Sequence, residues 1–285
     1  MPAQNDVNLK LMASIEKMPS LPTTVTKVIE LANDINSSPR DLLKVIQLDP
    51  VLTAKVLKLI NSAFFGMPNK VSLKQAVVML GINTIKNLAL STAIIGQMGQ
   101  SKIKVKNFDQ HLFWQHSLCA AIAAKKICRK IEPDPRLADE YFVAGLVHDI
   151  GKIVMALALP QWFAATIDHA RANELSSVRA ETDKMGIDHA EVGSLLAQKW
   201  SLSENLVDAT HYHHVPEENH HRLVWVVHLA NCWVEKLGYI SSKDFVESWL
   251  DEKAYEILKI TEEEINAALK NLPEEIEKAT IFLSS

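Results

Sequence analysis

All eleven histidines of this 285-residue chain fall between positions 111 and 228. Imidazole titrates near neutral pH and is a common metal ligand, so each position is weighed for that chemistry. His148 and Asp149 sit in GLVHDIGK (145–152), inside a largely apolar stretch, Phe142 to Leu159, that reads as one buried helix. A buried carboxylate without a partner is costly. A metal ion would supply the missing positive charge, and so would Lys152, three residues on. Neighbouring residues on a helix diverge by about 100°, so both can reach one ion only where the helix runs close to it. Gly145 and Gly151 remove side-chain bulk and would permit that approach. His116 lies on an apolar stripe with Leu112, Cys119 and Ala123, where a core histidine is the simpler reading. His189 opens a helix in DHAEVGSLLAQKW and reads equally as a surface residue. His213 and His214 follow a helix ending near Thr210. His211, His220 and His221 form a polar patch expected to lie off any site and to be largely exposed. His111 and His169 have no supporting context.

The elements that must position these residues read as helices. Apolar residues make up 48% of the chain and aromatics only 6%, and nine glycines and eleven prolines are too few for the turns of a sheet protein. Ser38-Pro39-Arg40-Asp41 carries a cap, a proline at the first helical position and an acid in the first turn. Asp49-Pro50 repeats the start signal before Val51 to Phe65. Ser72 with Gln75 forms a capping box, Gly81 stops that helix, and Asn83 to Met98 is the next one. The polar, basic run 99–108 breaks the pattern and is read as a connection. Helices resume near Gln110 and continue to about Leu237. An acidic helical segment, 242–281, follows, with Thr261 before Glu262, Glu263 and Glu264 as a start. The expected fold class is all-α. The expected division is residues 1–105 as an N-terminal bundle, 106–240 as a second bundle, and 241–285 as C-terminal acidic helices of the same unit.

Charge is uneven. Residues 1–110 carry 13 Lys and Arg against 7 Asp and Glu, and the remainder is net acidic, for −4 overall. The basic residues are spaced as on solvated helix faces, and no aromatic interleaving accompanies them, so nucleic acid is not the expected partner. Three cysteines without a CxxC pair and an N-terminus without a signal pattern lead to the expectation of a reduced, cytoplasmic setting. His148, Asp149 and Lys152 in the middle of the longest apolar run argue against a membrane span.

One His, then His-Asp with Gly-Lys after it, then His, then His-His, spread over successive helices, resembles the HD superfamily of metal-dependent phosphohydrolases. MPSLPTTVTKVIELAND (18–34), DPVLTAKVLKLINSAFFG (49–66) and LKQAVVMLGINTIKNLAL (73–90) narrow the resemblance to the HDOD family, the HD-related output domains of bacterial signalling proteins. It covers roughly residues 10 to 240 and implies an N-terminal helical bundle packed on an HD-like bundle. By resemblance, the metal ligands are His116, His148, Asp149, His189, His213 and His214. Lys152 matches the lysine that faces the scissile phosphate. The last ligand of the pattern is an Asp, and Asn231 stands in its place, a neutral and poorer ligand for a hard cation. His228, one turn earlier, is an alternative. The stretch after the paired His, VPEENHHRL (215–223), lacks the glycine-rich GYP motif of cyclic-dinucleotide phosphodiesterases.

Two functions follow from the resemblance. One is a signalling protein that acts through contacts with other signalling proteins, mainly on the first bundle, with a vestigial or structural metal site. The other is an active phosphohydrolase or phosphodiesterase on a phosphoester substrate. There, one or two divalent ions (Fe, Mn, Ni, Zn or Mg) held near Asp149 would activate a water, and Lys152 would steady the phosphoryl charge.

Overall fold

The computed structural model describes residues 4–67, 69–99, 102–219, 221–241 and 249–283, and among these there are helices and no strands. The all-α class is observed. In chain order the helices are α1 (Gln4–Lys17), α2 (Thr23–Asn33), α3 (Pro39–Gln47), α4 (Pro50–Ile60) and α5 (Leu73–Met98). They continue with α6 (Gln110–Ile131), α7 (Ala138–Val147), α8 (Ile150–Ala158), α9 (Pro160–Asn173), α10 (Ser177–Met185), α11 (His189–Lys199) and α12 (Glu204–Tyr212). The last are α13 (Arg222–Lys236), α14 (Lys253–Leu258), α15 (Glu262–Leu269) and α16 (Leu272–Ala279).

The caps read from the sequence are present. Ser38 with Asp41, Ser72 with Gln75 and Thr261 with Glu264 form reciprocal capping boxes, and the Asp49 carboxylate accepts from Leu52 N–H. Gly81 interrupts α5 at φ +83°, a conformation that glycine adopts without strain.

The chain forms two compact units, Met1–Pro19 with Lys102–Lys270, and Ser20–Ser101 with Asn271–Ser285. This departs from the expected division at 105 and 241. Helix α1 belongs with the second bundle because Val7, Leu11 and Ile15, one turn apart, are all buried. It packs there on α8, α10 and α11. Lys199 Nζ donates to the Ile15 carbonyl at 2.7 Å, and Trp200 Nε1 donates to the Pro19 carbonyl at 3.0 Å. At the other end, Leu272, Ile276 and Phe282 are buried in the 20–101 unit, where Phe282 meets Phe64 edge to face at 5.5 Å. In that unit Asn61 closes the loop after α4, donating to the Val71 carbonyl at 3.1 Å and accepting from its N–H at 2.7 Å.

The stretch around His148 is not one continuous helix. α7 ends at Val147 and α8 begins at Ile150, with Asp149 at φ −97°, ψ 5° between them. Among the described residues, two stretches have the length and apolarity of a membrane span, Leu73–Met98 and Pro135–Ala158. The second is 89% buried within the fold and carries the His148–Asp149 break.

The two glycines of GLVHDIGK serve helix packing. A Cβ on Gly145 would stand 2.7 Å from the Ala120 carbonyl of α6, and one on Gly151 would stand 1.9 Å from the His189 carbonyl of α11. The bulk that they leave out is bulk that a neighbouring helix would meet. The glycines bring α6 and α11 against α7 and α8, and those helices carry His116 and His189.

Candidate metal centre

Five helix ends and faces of the larger unit deliver one buried cluster. His116 comes from the middle of α6, His148 and Asp149 from the α7–α8 break, His189 from the first residue of α11, and His213 and His214 from the end of α12. Asp149 lies at the centre. Its Oδ2 faces His116 Nε2 and His148 Nε2 at 3.6 Å each. Its Oδ1 faces His189 Nε2 at 3.0 Å and His213 Nε2 at 3.6 Å. His214 Nε2 is 3.0 Å from His189 Nε2, and His116 Nε2 is 3.3 Å from His148 Nε2. The ligand atoms fall into two sets sharing Asp149, one with His116 and His148 and one with His189, His213 and His214. Because the helix breaks at Asp149, the side chains of two adjacent residues reach the same place.

In four of the five rings the other nitrogen is taken. Nδ1 lies 2.7 Å from the Tyr239 carbonyl in His116, 2.8 Å from the Gly145 carbonyl in His148, and 2.8 Å from the Thr210 carbonyl in His213. In His189, Nδ1 lies 2.6 Å from Glu181 Oε2, which also accepts the His189 backbone N–H at 2.8 Å. A carbonyl accepts only, so in His116, His148 and His213 Nδ1 donates and Nε2 presents its lone pair inward. The bare Nε2 atoms of His116 and His148, 3.3 Å apart, repel unless a cation lies between them, and the 3.0 Å between His189 and His214 Nε2 has room for one proton or one ion. Two ligands bonded at about 2.05 Å to one ion sit about 2.9 Å apart in octahedral and about 3.3 Å apart in tetrahedral geometry. Asp149 Oδ1 and His213 Nε2 are buried without a hydrogen bond. The donor set, imidazoles about one carboxylate, suits a transition ion better than magnesium. The residues fit a divalent metal.

The electrostatics agree. Burial would raise the Asp149 pKa, but Lys152, His148 and His189 outweigh it and hold the carboxyl well below the usual range. Burial pushes the His148 pKa down to about 4 and also lowers His116, His213 and His214, so these rings are neutral and ready to ligate. His189 is the exception. Burial lowers its pKa, yet Glu181 and Asp149 on either side raise it to about 9. Without a metal its proton is the local cation.

His189 is fully buried and not a surface residue, because Glu181 of α10 caps both its ring and its backbone. Lys152 Nζ donates to Asp149 Oδ2 at 2.6 Å and to Ser241 Oγ at 3.4 Å. The Asp149–Lys152 pair and the histidine cluster therefore coexist. Asn231 is buried in α13, which packs on α6, α7 and α12, the helices that carry or adjoin His116, His148 and His213. His228 is not an alternative ligand. Its Nδ1 bonds the His213 carbonyl at 2.7 Å and its Nε2 accepts from Asp251 N–H at 2.9 Å, so the ring props His213. His221 is exposed and caps α13. His211 is half-buried, not largely exposed, because it packs on Tyr212 and bonds Ser194. His220 lies outside the described residues. Glu181 and the Tyr239 carbonyl were not found in the sequence. An acid eight residues before His189 carries no local signal, and a carbonyl carries none at all.

A helical fold around a two-part histidine–aspartate cluster defines an HD-type protein. The HDOD domain model matches residues 18–216, and the chain belongs to the HDOD family. A protein from Shewanella amazonensis SB2B, described as a putative phosphohydrolase, superposes with a TM-score of 0.73 at 26% identity, over 96% of this chain and 98% of that one. A Marinobacter aquaeolei VT8 protein, described as a putative signal transduction protein, superposes with a TM-score of 0.76 at 20% identity, over 99% of this chain and 66% of that one, and shows the fold. An uncharacterized protein of Treponema pallidum (strain Nichols) is 27% identical over 237 residues, 80% of this chain. The chain spans 45% of that curated relative.

Proposed function

We propose that this chain is a regulatory HDOD protein that works through contacts with other signalling proteins, with a divalent transition ion held at Asp149, His189, His213 and His214. The observation that carries this reading is burial. His148, His189 and His213 are 0% exposed, and His116 and Asp149 are 1% exposed. A phosphoester needs an open coordination position and a path to it; these five side chains present neither to solvent, and among the described residues the half-buried His214 is the one candidate ligand that reaches it. Asn231 where the family pattern has Asp removes one anionic ligand and points the same way. A buried ion in such a site ties α7–α8, α11 and α12 together and stabilises the unit that contains them. On the other unit, Leu48 and Val51 at the α3–α4 corner are 82% and 64% exposed, a place where a partner's apolar side chains would be received. A cytoplasmic setting goes with this reading.

The ligand set itself favours a second reading, a metal-dependent phosphohydrolase. A bound ion would supply Lewis acidity and a more acidic water. Asp149 would share its carboxylate between two ions, Glu181 would fix the tautomer of His189, and Lys152 would have to leave Asp149 to meet a phosphoryl oxygen.

One experiment separates the readings. The chain is purified without chelator, its metal content is measured, and bis(p-nitrophenyl) phosphate hydrolysis is followed with added Mn²⁺ or Fe²⁺. Bound metal with turnover far below about 1 per second supports the regulatory reading. Turnover at or above that rate overturns it. Absence of any bound or bindable metal removes the metal from both.

A further inference from the structure

The two halves of the cluster differ in one respect that the ligand set does not reveal. Lys152 Nζ donates to Asp149 Oδ2 at 2.6 Å, and Oδ2 is the oxygen that faces His116 and His148. Oδ1 faces only rings that are themselves candidate ligands, His189 Nε2 at 3.0 Å and His213 Nε2 at 3.6 Å, so the one cation beside it is a proton that a ligating ring gives up. The lysine and aspartate side chains are only 4% and 1% exposed, so water screens their charges little. A divalent ion bonded to Oδ2 at about 2.1 Å would stand less than about 5 Å from the ammonium. Two cations that close in a buried site compete for one carboxylate oxygen. Ser241 Oγ, already 3.4 Å from Nζ, is the acceptor to which the ammonium can retreat.

We propose that Lys152 is a built-in competitor for the second cation. One ion binds first, between Asp149 Oδ1, His189, His213 and His214. A second enters between Asp149 Oδ2, His116 and His148 only by displacing the Lys152 ammonium toward Ser241. This rests on the metal-binding reading above and adds an order of filling to it. It also gives the second ion a route to the backbone. Tyr239 and Ser241 lie in the turn after α13, and they hold His116 Nδ1 and Lys152 Nζ, respectively. Both contacts flank the position that the second ion takes.

The test is a titration of the chelator-stripped full chain with Mn²⁺, followed by calorimetry and by electron paramagnetic resonance of free Mn²⁺. Wild type is expected to bind in two steps, the second weaker by about a hundredfold or more. Lys152→Met keeps the volume and removes the charge. It is expected to tighten the second step by at least about tenfold and leave the first within about threefold. Lys152→Arg is expected to keep the wild-type gap. The proposal is overturned if Lys152→Met leaves the second step where wild type has it, or if wild type binds two ions with equal affinity. In both cases the metal reading survives. If neither protein binds an ion, both fall together. Should Lys152→Met fold only with metal present, it is refolded in Mn²⁺, desalted and assayed for bound metal. More ion per chain than in wild type supports the proposal, and an equal content overturns it.

Discussion

At the scale of single residues, the cluster is organised by what lies behind each ligand. Glu181 is the clearest case, since its Oε2 holds both the ring and the backbone N–H of His189. Glu181→Gln keeps the shape and removes the charge. It is expected to weaken metal binding about 10- to 100-fold with the helical content unchanged, as read by metal titration beside circular dichroism. Wild-type affinity in the variant would remove Glu181 from the site. His189 also sets the pH dependence. Its pKa is raised from 6.5 to about 9 without metal, so its contribution to stability is complete below pH 6.5 and is lost as pH rises through about 9. The metal-free protein is expected to melt at a lower temperature at pH 9 than at pH 7. The other cluster histidines have lowered values and do not titrate in that window. Metal binding needs Nε2 free, so at pH 7–8 it is expected to release about one proton. Calorimetry in buffers of different ionisation enthalpy measures this, and release of none would show that His189 is already neutral. Asn231→Asp adds a carboxylate at the position where the family pattern has one and is expected to raise metal occupancy. If metal content and stability are both unchanged, Asn231 is not the ligand position.

At the scale of elements, close helix packing places the ligands. A Cβ on Gly151 would overlap the His189 carbonyl, and Gly193 N is 2.7 Å away on the same helix. Gly151→Ala is expected to force α8 and α11 apart, to cost about 3 kcal/mol, and to weaken metal binding by moving His189. Gly238→Ala is the control. Its backbone has φ +88° but open space for a Cβ, so about 1 kcal/mol is expected, with metal binding retained. Urea unfolding and metal titration of the two variants check the contrast, and equal losses would rule out the packing explanation. The glycines were legible in the sequence, but the helices that they admit were not. A missing side chain says that something comes close without saying what.

At the scale of the whole molecule, the candidate ligands belong to one unit. All six candidate ligands apart from Asn231, and Asn231 itself, fall within residues 102–270. Metal that binds only the folded unit stabilises it by about 2.7 kcal/mol at a hundredfold excess over Kd. Chelation is therefore expected to lower the thermal midpoint, with recovery on adding Mn²⁺ or Zn²⁺. A midpoint indifferent to chelator and to added metal would mean that the cluster stands on its own protons, with His189 and Lys152 as the only cations.

The sequence by itself determined the helical class, most helix starts, the family and the set of candidate ligands. Each of these rests on local information: a serine three residues before a glutamine, a glycine after an apolar run, or a histidine beside an aspartate. Only the tertiary structure decided the rest. α1 joined the second bundle because an amphipathic face does not name its partner. The apolar stretch around His148 broke at Asp149, since continuity of hydropathy does not fix φ and ψ. Glu181 and the Tyr239 carbonyl reached the cluster from other parts of the chain, and Lys152 settled on one carboxylate oxygen and not the other. These outcomes depend on distances between residues far apart in sequence, which the packing of the helices sets.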